Sequence, residues 1–149
     1  MTTDDEKAMQ EYGFELKYED KVGKIYVSQR TQIFICQIIQ PYIPIEDFKN
    51  LLLQKGLLLK QYPCEKFIFD KRAISVFHQP SMEWYYVVWK PKIYEKFGLR
   101  THRKLFTKDL WFRKAIEAGR NEIKNKYPDS LCHQMDIQNT ETIREAIEN

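Results

Sequence analysis

The fold is decided between residues 33 and 70, where Ile33-Phe34-Ile35-Cys36-Gln37-Ile38-Ile39 is followed by Pro41 and Pro44, then Ile45 to Lys60, then Lys66-Phe67-Ile68-Phe69-Asp70. The first segment is almost continuously apolar, the pattern of a strand covered on both faces. Pro44 suits the first turn of a helix, and Glu46 and Asp47 complement the positive end of its dipole. Phe48, Leu51, Leu52 and Leu59 then recur near helical spacing, and Gly56 interrupts the pattern without destroying it. Pro63 stops the helix before the next compact strand. A strand–helix–strand unit of this kind predicts parallel pairing through a right-handed crossover.

Toward the N-terminus, Lys24 to Arg30 reads as a strand, and Thr31-Gln32 turns it back into an antiparallel hairpin with the strand from Ile33. Residues 1–20 are charged and weakly patterned. They read as a polar lead-in, loose or helical, to a single domain over 21–149. Toward the C-terminus, Lys71 to Gln79 forms a loop. Pro80 or Ser81 opens a second helix, kinked or interrupted at Pro91 and closed at Gly98. His102 to Lys108 is a short strand, and Asp109 caps a further helix. The apolar residues of that helix, Leu110, Phe112, Ala115, Ile116, Ala118 and Ile123, only partly follow a helical stripe. Met135 to Ile137 is a last strand, and Thr140 caps a final helix carrying Ile143, Ala146 and Ile147. The order predicts an α/β fold: a mostly parallel sheet with an N-terminal antiparallel hairpin, flanked by helices.

Composition narrows the function classes. The 149 residues fit one domain, and 14% are aromatic, so a few large rings can hold the core. No apolar run approaches the roughly 20 residues of a membrane span, and the polar start carries no signal-peptide pattern. Three cysteines without C-x-x-C spacing point to a reducing cytoplasm, with Cys36 as a small core hydrophobe. A net charge of +3 is too mild to call for nucleic acid. Cys132 and His133 are adjacent, but no further ligands stand at zinc-like spacing. The five glycines are scattered singly and form no phosphate loop. These readings call for no cofactor and no metal.

The order of elements, with Lys24-Ile-Tyr-Val27, the apolar strand leading into Ile45-Glu-Asp-Phe48, Phe67-Ile-Phe-Asp-Lys-Arg72 and the terminal Asp136 to Ile147, resembles the STAS fold of bacterial anti-sigma-factor antagonists. It looks most like small bacterial STAS-like proteins. The resemblance implies a cytoplasmic, non-enzymatic regulatory module acting through protein contacts, with a protein partner or a second copy of itself. In the antagonists a strand-to-helix loop carries a phosphorylatable serine in an Asp-Ser-Ser-Gly type string. This chain has Lys71 to Ser81 there, without the Ser-Gly pair.

Three constellations stand out. Trp84, Tyr85, Trp89 and Tyr94 on the second helix exceed what one buried stripe needs, and form a candidate interaction face. Asp70, Arg72, Ser75, His78 and Ser81 cluster after a parallel strand, where open α/β sheets place ligand crevices, and form a candidate switch or ligand loop. Asp70, Arg72 and His78 there could serve proton transfer, or Asp70 and Arg72 could pair to fix the loop. His102, Arg103 and Lys104 form a basic run that reads as solvated strand ends. The alternative to an interaction module is a small-molecule or lipid carrier with an apolar pocket between the second helix and the sheet.

Overall fold

The computed structural model describes residues 1–76 and 78–149; the expected loop from 71 to 79 thus includes one position, Phe77, outside the described residues. The protein is α/β. Strands β1 (Glu15–Glu19), β2 (Gly23–Ser28), β3 (Ile33–Ile38), β4 (Lys66–Lys71), β5 (Thr101–Phe106) and β6 (Asp136–Asn139) form one sheet in sequence order. β1, β2 and β3 pair antiparallel, and β3 through β6 pair parallel. Each parallel step advances the sheet the same way, so crossovers of one hand stack their helices on one face.

That face carries α2 (Ile45–Leu59), then α3 (Gln79–Trp84), a π-helical turn (Tyr85–Trp89) and α4 (Lys90–Phe97) in continuous succession, and α5 (Leu110–Lys126). Phe34, Cys36, Phe67 and Phe69 of the sheet meet Leu51 and Leu52 of α2 and Tyr85 and Trp89 of the π turn there. Burying each of these large side chains stabilises the fold by about 1.5–3 kcal/mol. At Gly23 a Cβ would lie 2.6 Å from a Leu51 methyl and 3.1 Å from the Gln37 carbonyl oxygen, so α2 rests directly on the β2 backbone. The opposite face carries α1 (Thr3–Glu11) and α6 (Ile143–Glu148), packed through Ala8, Met9, Ile143, Ala146 and Ile147 onto Ile33, Ile35, Ile68 and Leu105.

Residues 1–20 are therefore not a lead-in but part of the domain. Thr2 and Asp5 form a reciprocal capping box that starts α1, and β1 extends the sheet edge. The expected kink at Pro91 is realised one turn earlier. Proline lacks an amide hydrogen and its ring crowds the carbonyl four residues back, that of Val87, which lies in the widened π turn. Gly98 ends α4 in the left-handed conformation at φ 71°. The last strand begins one residue later than expected, and the final helix is capped by Thr142 rather than Thr140.

Candidate functional site

The inward face of α5 lines an open cleft. Only Ile116, Gly119 and Ile123 of this helix are buried; Leu110, Ala115 and Ala118 face solvent. Arg113, Glu117, Arg120 and Lys124 recur at three- and four-residue spacing beside the two isoleucines, so they share their face. A helix docked through so narrow an apolar stripe does not close onto the sheet. It leaves a cleft of about 500 Å³, walled opposite by Phe106, Ile137, Asn139 and Thr140 at the ends of β5 and β6. This is the carboxyl edge of the parallel strands, where α/β sheets hold ligands.

The cleft is basic. Arg113 is fixed at its rim, donating from Nε to the Thr107 carbonyl at 2.7 Å and lying 3.5 Å from Glu141. Arg120 stands 5.7 Å from the centre of the Tyr86 ring, and neither it nor Lys124 has an ion-pair partner among the described residues. Glu117 is the single acid of the lining. Thr140 is 3% exposed and its hydroxyl has no hydrogen-bond partner among the described residues. Its backbone is held, donating to the Lys104 carbonyl at 2.8 Å. A buried polar atom left without a partner in a cavity wall costs about 1–3 kcal/mol, and a bound ligand atom would relieve that cost.

Behind the cleft lies a second layer of bases. Lys104 donates from Nζ to the Tyr86 hydroxyl at 2.9 Å. Lys90 sits 4.3 Å from the Tyr86 ring centre, and Lys55 sits 2.9 Å from that of Phe67 and 4.3 Å from that of Trp89. The Lys55 and Lys90 amines and both His102 ring nitrogens have no hydrogen-bond partner among the described residues. Burial, reinforced by neighbouring positive charge, drives Lys90 and Lys104 well below the ordinary lysine range, and burial alone does so for Lys55. His102 is held well below its usual value for the same two reasons.

Against the sequence expectations, the basic run is not at solvated strand ends. His102, Arg103 and Lys104 are all buried, because β5 is an interior strand covered on both faces. The interaction face is also corrected. Tyr85 and Trp89 are 2% and 6% exposed, stacked on each other and packed against Phe69 and Phe67 respectively. Trp84 packs edge-on to Phe48, and Tyr94 is partly buried against the core.

The loop residues divide between the two faces. Arg72 clasps Asp70 through two bonds of 2.9 and 2.8 Å and reaches Asp5 of α1 at 3.0 Å, so the pairing that fixes the loop is the one observed. His78 instead caps α3 and lines a small apolar chamber of about 80 Å³ on the helix-rich face. Asp70, Arg72 and His78 are thus not assembled into one proton-transfer site. Ser81 is 9% exposed, with its hydroxyl 2.7 Å from His78 Nδ1; Ser75 is exposed. Among the described residues the chamber beside the second helix measures about 80 Å³, below the roughly 300 Å³ of a typical ligand pocket.

The sequence alone gives Arg113, Arg120 and Lys124 no role and Thr140 only that of a helix cap. The signal was the seven-residue interval from Arg113 to Arg120 running in phase with Ile116 and Ile123. No group of three metal-ligating side chains occurs among the described residues. No helix is long and apolar enough to cross a membrane. Neither a family model, nor a curated protein, nor a solved structure matches this chain.

Proposed function

We propose that the domain binds a small anionic molecule, carrying phosphate or carboxylate groups, in the cleft between α5 and the ends of β5 and β6. The observation that carries this reading is the pairing of Arg120 and Lys124, without acid partners among the described residues, with the buried and unsatisfied Thr140 hydroxyl. A guanidinium and an ammonium supply charge and directed donors, and the hydroxyl supplies one donor where water is scarce. This refines the carrier alternative: the ligand is polar and charged rather than a lipid. Nothing in the arrangement requires turnover, so the reading is of binding.

Calorimetric titration with inorganic pyrophosphate, and separately with citrate, tests it. One molecule bound per chain is expected, with Arg120→Ala weakening the affinity about 10- to 100-fold, the loss of one charged hydrogen bond. Thr140→Val should weaken it less, and Lys60→Ala on the distant end of α2 not at all. Equal affinity in wild type and Arg120→Ala would overturn the assignment.

A second reading keeps the regulatory interaction module that the STAS resemblance implies. It is favoured by Leu110 and Trp111, which are 69% and 83% exposed at the start of α5, beside the cleft. Adjacent large apolar residues left this bare are the kind of surface a protein partner covers. A ligand in the cleft would contact α5 directly and so bear on that surface.

A further inference from the structure

The apolar chamber next to the cleft contains a lysine whose setting differs from all the others. Lys71 is the last residue of β4, and its amine lies 4.4, 5.1 and 5.9 Å from the ring centres of Phe106, Phe69 and Tyr85. The remaining wall is hydrocarbon from Ile43, Ile74, Met82, Phe112 and Ile116, with His78 and Ser81 also in the lining. Unlike Lys55 and Lys90, Lys71 is only half-buried, and it lines an open cavity rather than the closed core. It has no ion-pair partner among the described residues. The neighbouring Asp70 is clasped by Arg72 on the opposite face of the sheet. The charge that acts on it, that of Arg120, is positive.

We propose that Lys71 is a nucleophilic amine that captures a short-chain aldehyde or ketone in this chamber as an imine. Apolar walls and a like charge are the two devices by which proteins keep a lysine free-base and reactive near neutral pH. Here burial first, and Arg120 second, bring the amine down to about 7. The nitrogen lone pair attacks the carbonyl carbon, forming the C–N bond as the carbonyl π pair moves to oxygen. A proton passes from nitrogen to oxygen to give the carbinolamine. Protonation of that hydroxyl and departure of water, driven by the nitrogen lone pair, leave an iminium, which gives its N–H proton back to the donor, so one carbonyl and one amine yield one imine and one water. His78 and Ser81, joined at 2.7 Å in the lining, are the groups placed to exchange those protons. A cavity of about 80 Å³ suits a few carbon atoms and excludes a long chain.

This inference does not depend on the anionic cleft, because it concerns a separate cavity and a separate probe. The folded full chain is treated at pH 7 with propionaldehyde and cyanoborohydride, and propylated lysines are mapped by mass spectrometry. Lys71 is expected to label at least about tenfold faster than the exposed Lys60 and Lys92. Lys71→Met should fold, as judged by circular dichroism, and lose only the fast-labelling site. The preference should vanish in denaturant. Labelling of Lys71 no faster than Lys60 in the folded protein would overturn the proposal, as would an equally fast site persisting in Lys71→Met.

Discussion

The two faces of the sheet handle positive charge in opposite ways. On the α1/α6 face the buried Arg103 and the half-buried Arg72 and Lys66 all have oxygen partners. Arg72 holds Asp70 and Asp5, Arg103 reaches Asp136 and the Asn149 carbonyl at 3.1 and 2.9 Å, and Lys66 donates to the Ala146 and Ile147 carbonyls at the end of α6. On the helix-rich face Lys55, Lys90, Lys104 and His102 are buried beside aromatic rings, and no carboxylate pairs with them among the described residues. A paired cation stays charged and fixes structure. A buried base without an acid is driven toward its neutral form instead. The first face is tied together by ion pairs, and the second keeps unpaired bases beside an open cleft.

Breaking the paired face should have the largest effect. Arg72→Met would leave Asp5 and Asp70, both almost fully buried, facing each other without a cation. A loss of about 3–5 kcal/mol in urea unfolding is expected. A loss below about 1 kcal/mol would mean that the triad contributes little.

The opposite sign is expected on the other face. Lys55→Met removes a buried, unpartnered amine and keeps most of its hydrocarbon volume, so stability should rise by about 1–3 kcal/mol. Destabilisation would show that Lys55 is held charged by its aromatic neighbours.

Stability should also climb as pH rises from 7 toward 10.5. These lysines have folded-state values depressed below 10.5, while in the unfolded chain they bind a proton up to that pH. Between the two values the unfolded state binds more protons, so raising pH favours folding, and the benefit is lost as pH falls toward the folded value, about 7 for Lys71. A gain of at least about 1 kcal/mol between pH 7 and 9 is expected, with a smaller slope in Lys55→Met. Asp5 acts at the other end. Burial pushes its carboxyl up, but the Thr2 amide and Arg72 outweigh it and hold it below 3.8, so its contribution is present above that value and disappears in acid. The smallest effect belongs to Trp111→Ala, which should alter folding stability by less than about 0.5 kcal/mol because the ring is solvated.

How much of this was legible follows from how local the signal is. β3, α2 and β4 were readable because apolar runs, Pro44 and Pro63 punctuate them within the segment itself. β1 was not, since Glu15-Leu-Lys-Tyr-Glu19 is an edge strand with mostly solvated side chains, and its assignment depends on pairing with β2. The buried bases of β5 were misread for a general reason: charged residues in a strand ordinarily mark a wet face, and only the helices stacked above reveal otherwise. The cleft was invisible because its cations on α5 look like any solvated helix face. What places them inward is the phase of two isoleucines, and what leaves room for a ligand is the scarcity of apolar residues between them.

The most direct test of the contrast is a pH titration of the lysine side-chain signals by NMR in the folded protein, with assignment by single substitution. Lys55, Lys90 and Lys104 should lose their protons well below the ordinary lysine value of 10.5, with Lys71 passing through its midpoint near 7. If all of them titrate together near 10.5, the helix-rich face holds charged lysines, and the account of an acid-free, proton-shedding face is wrong.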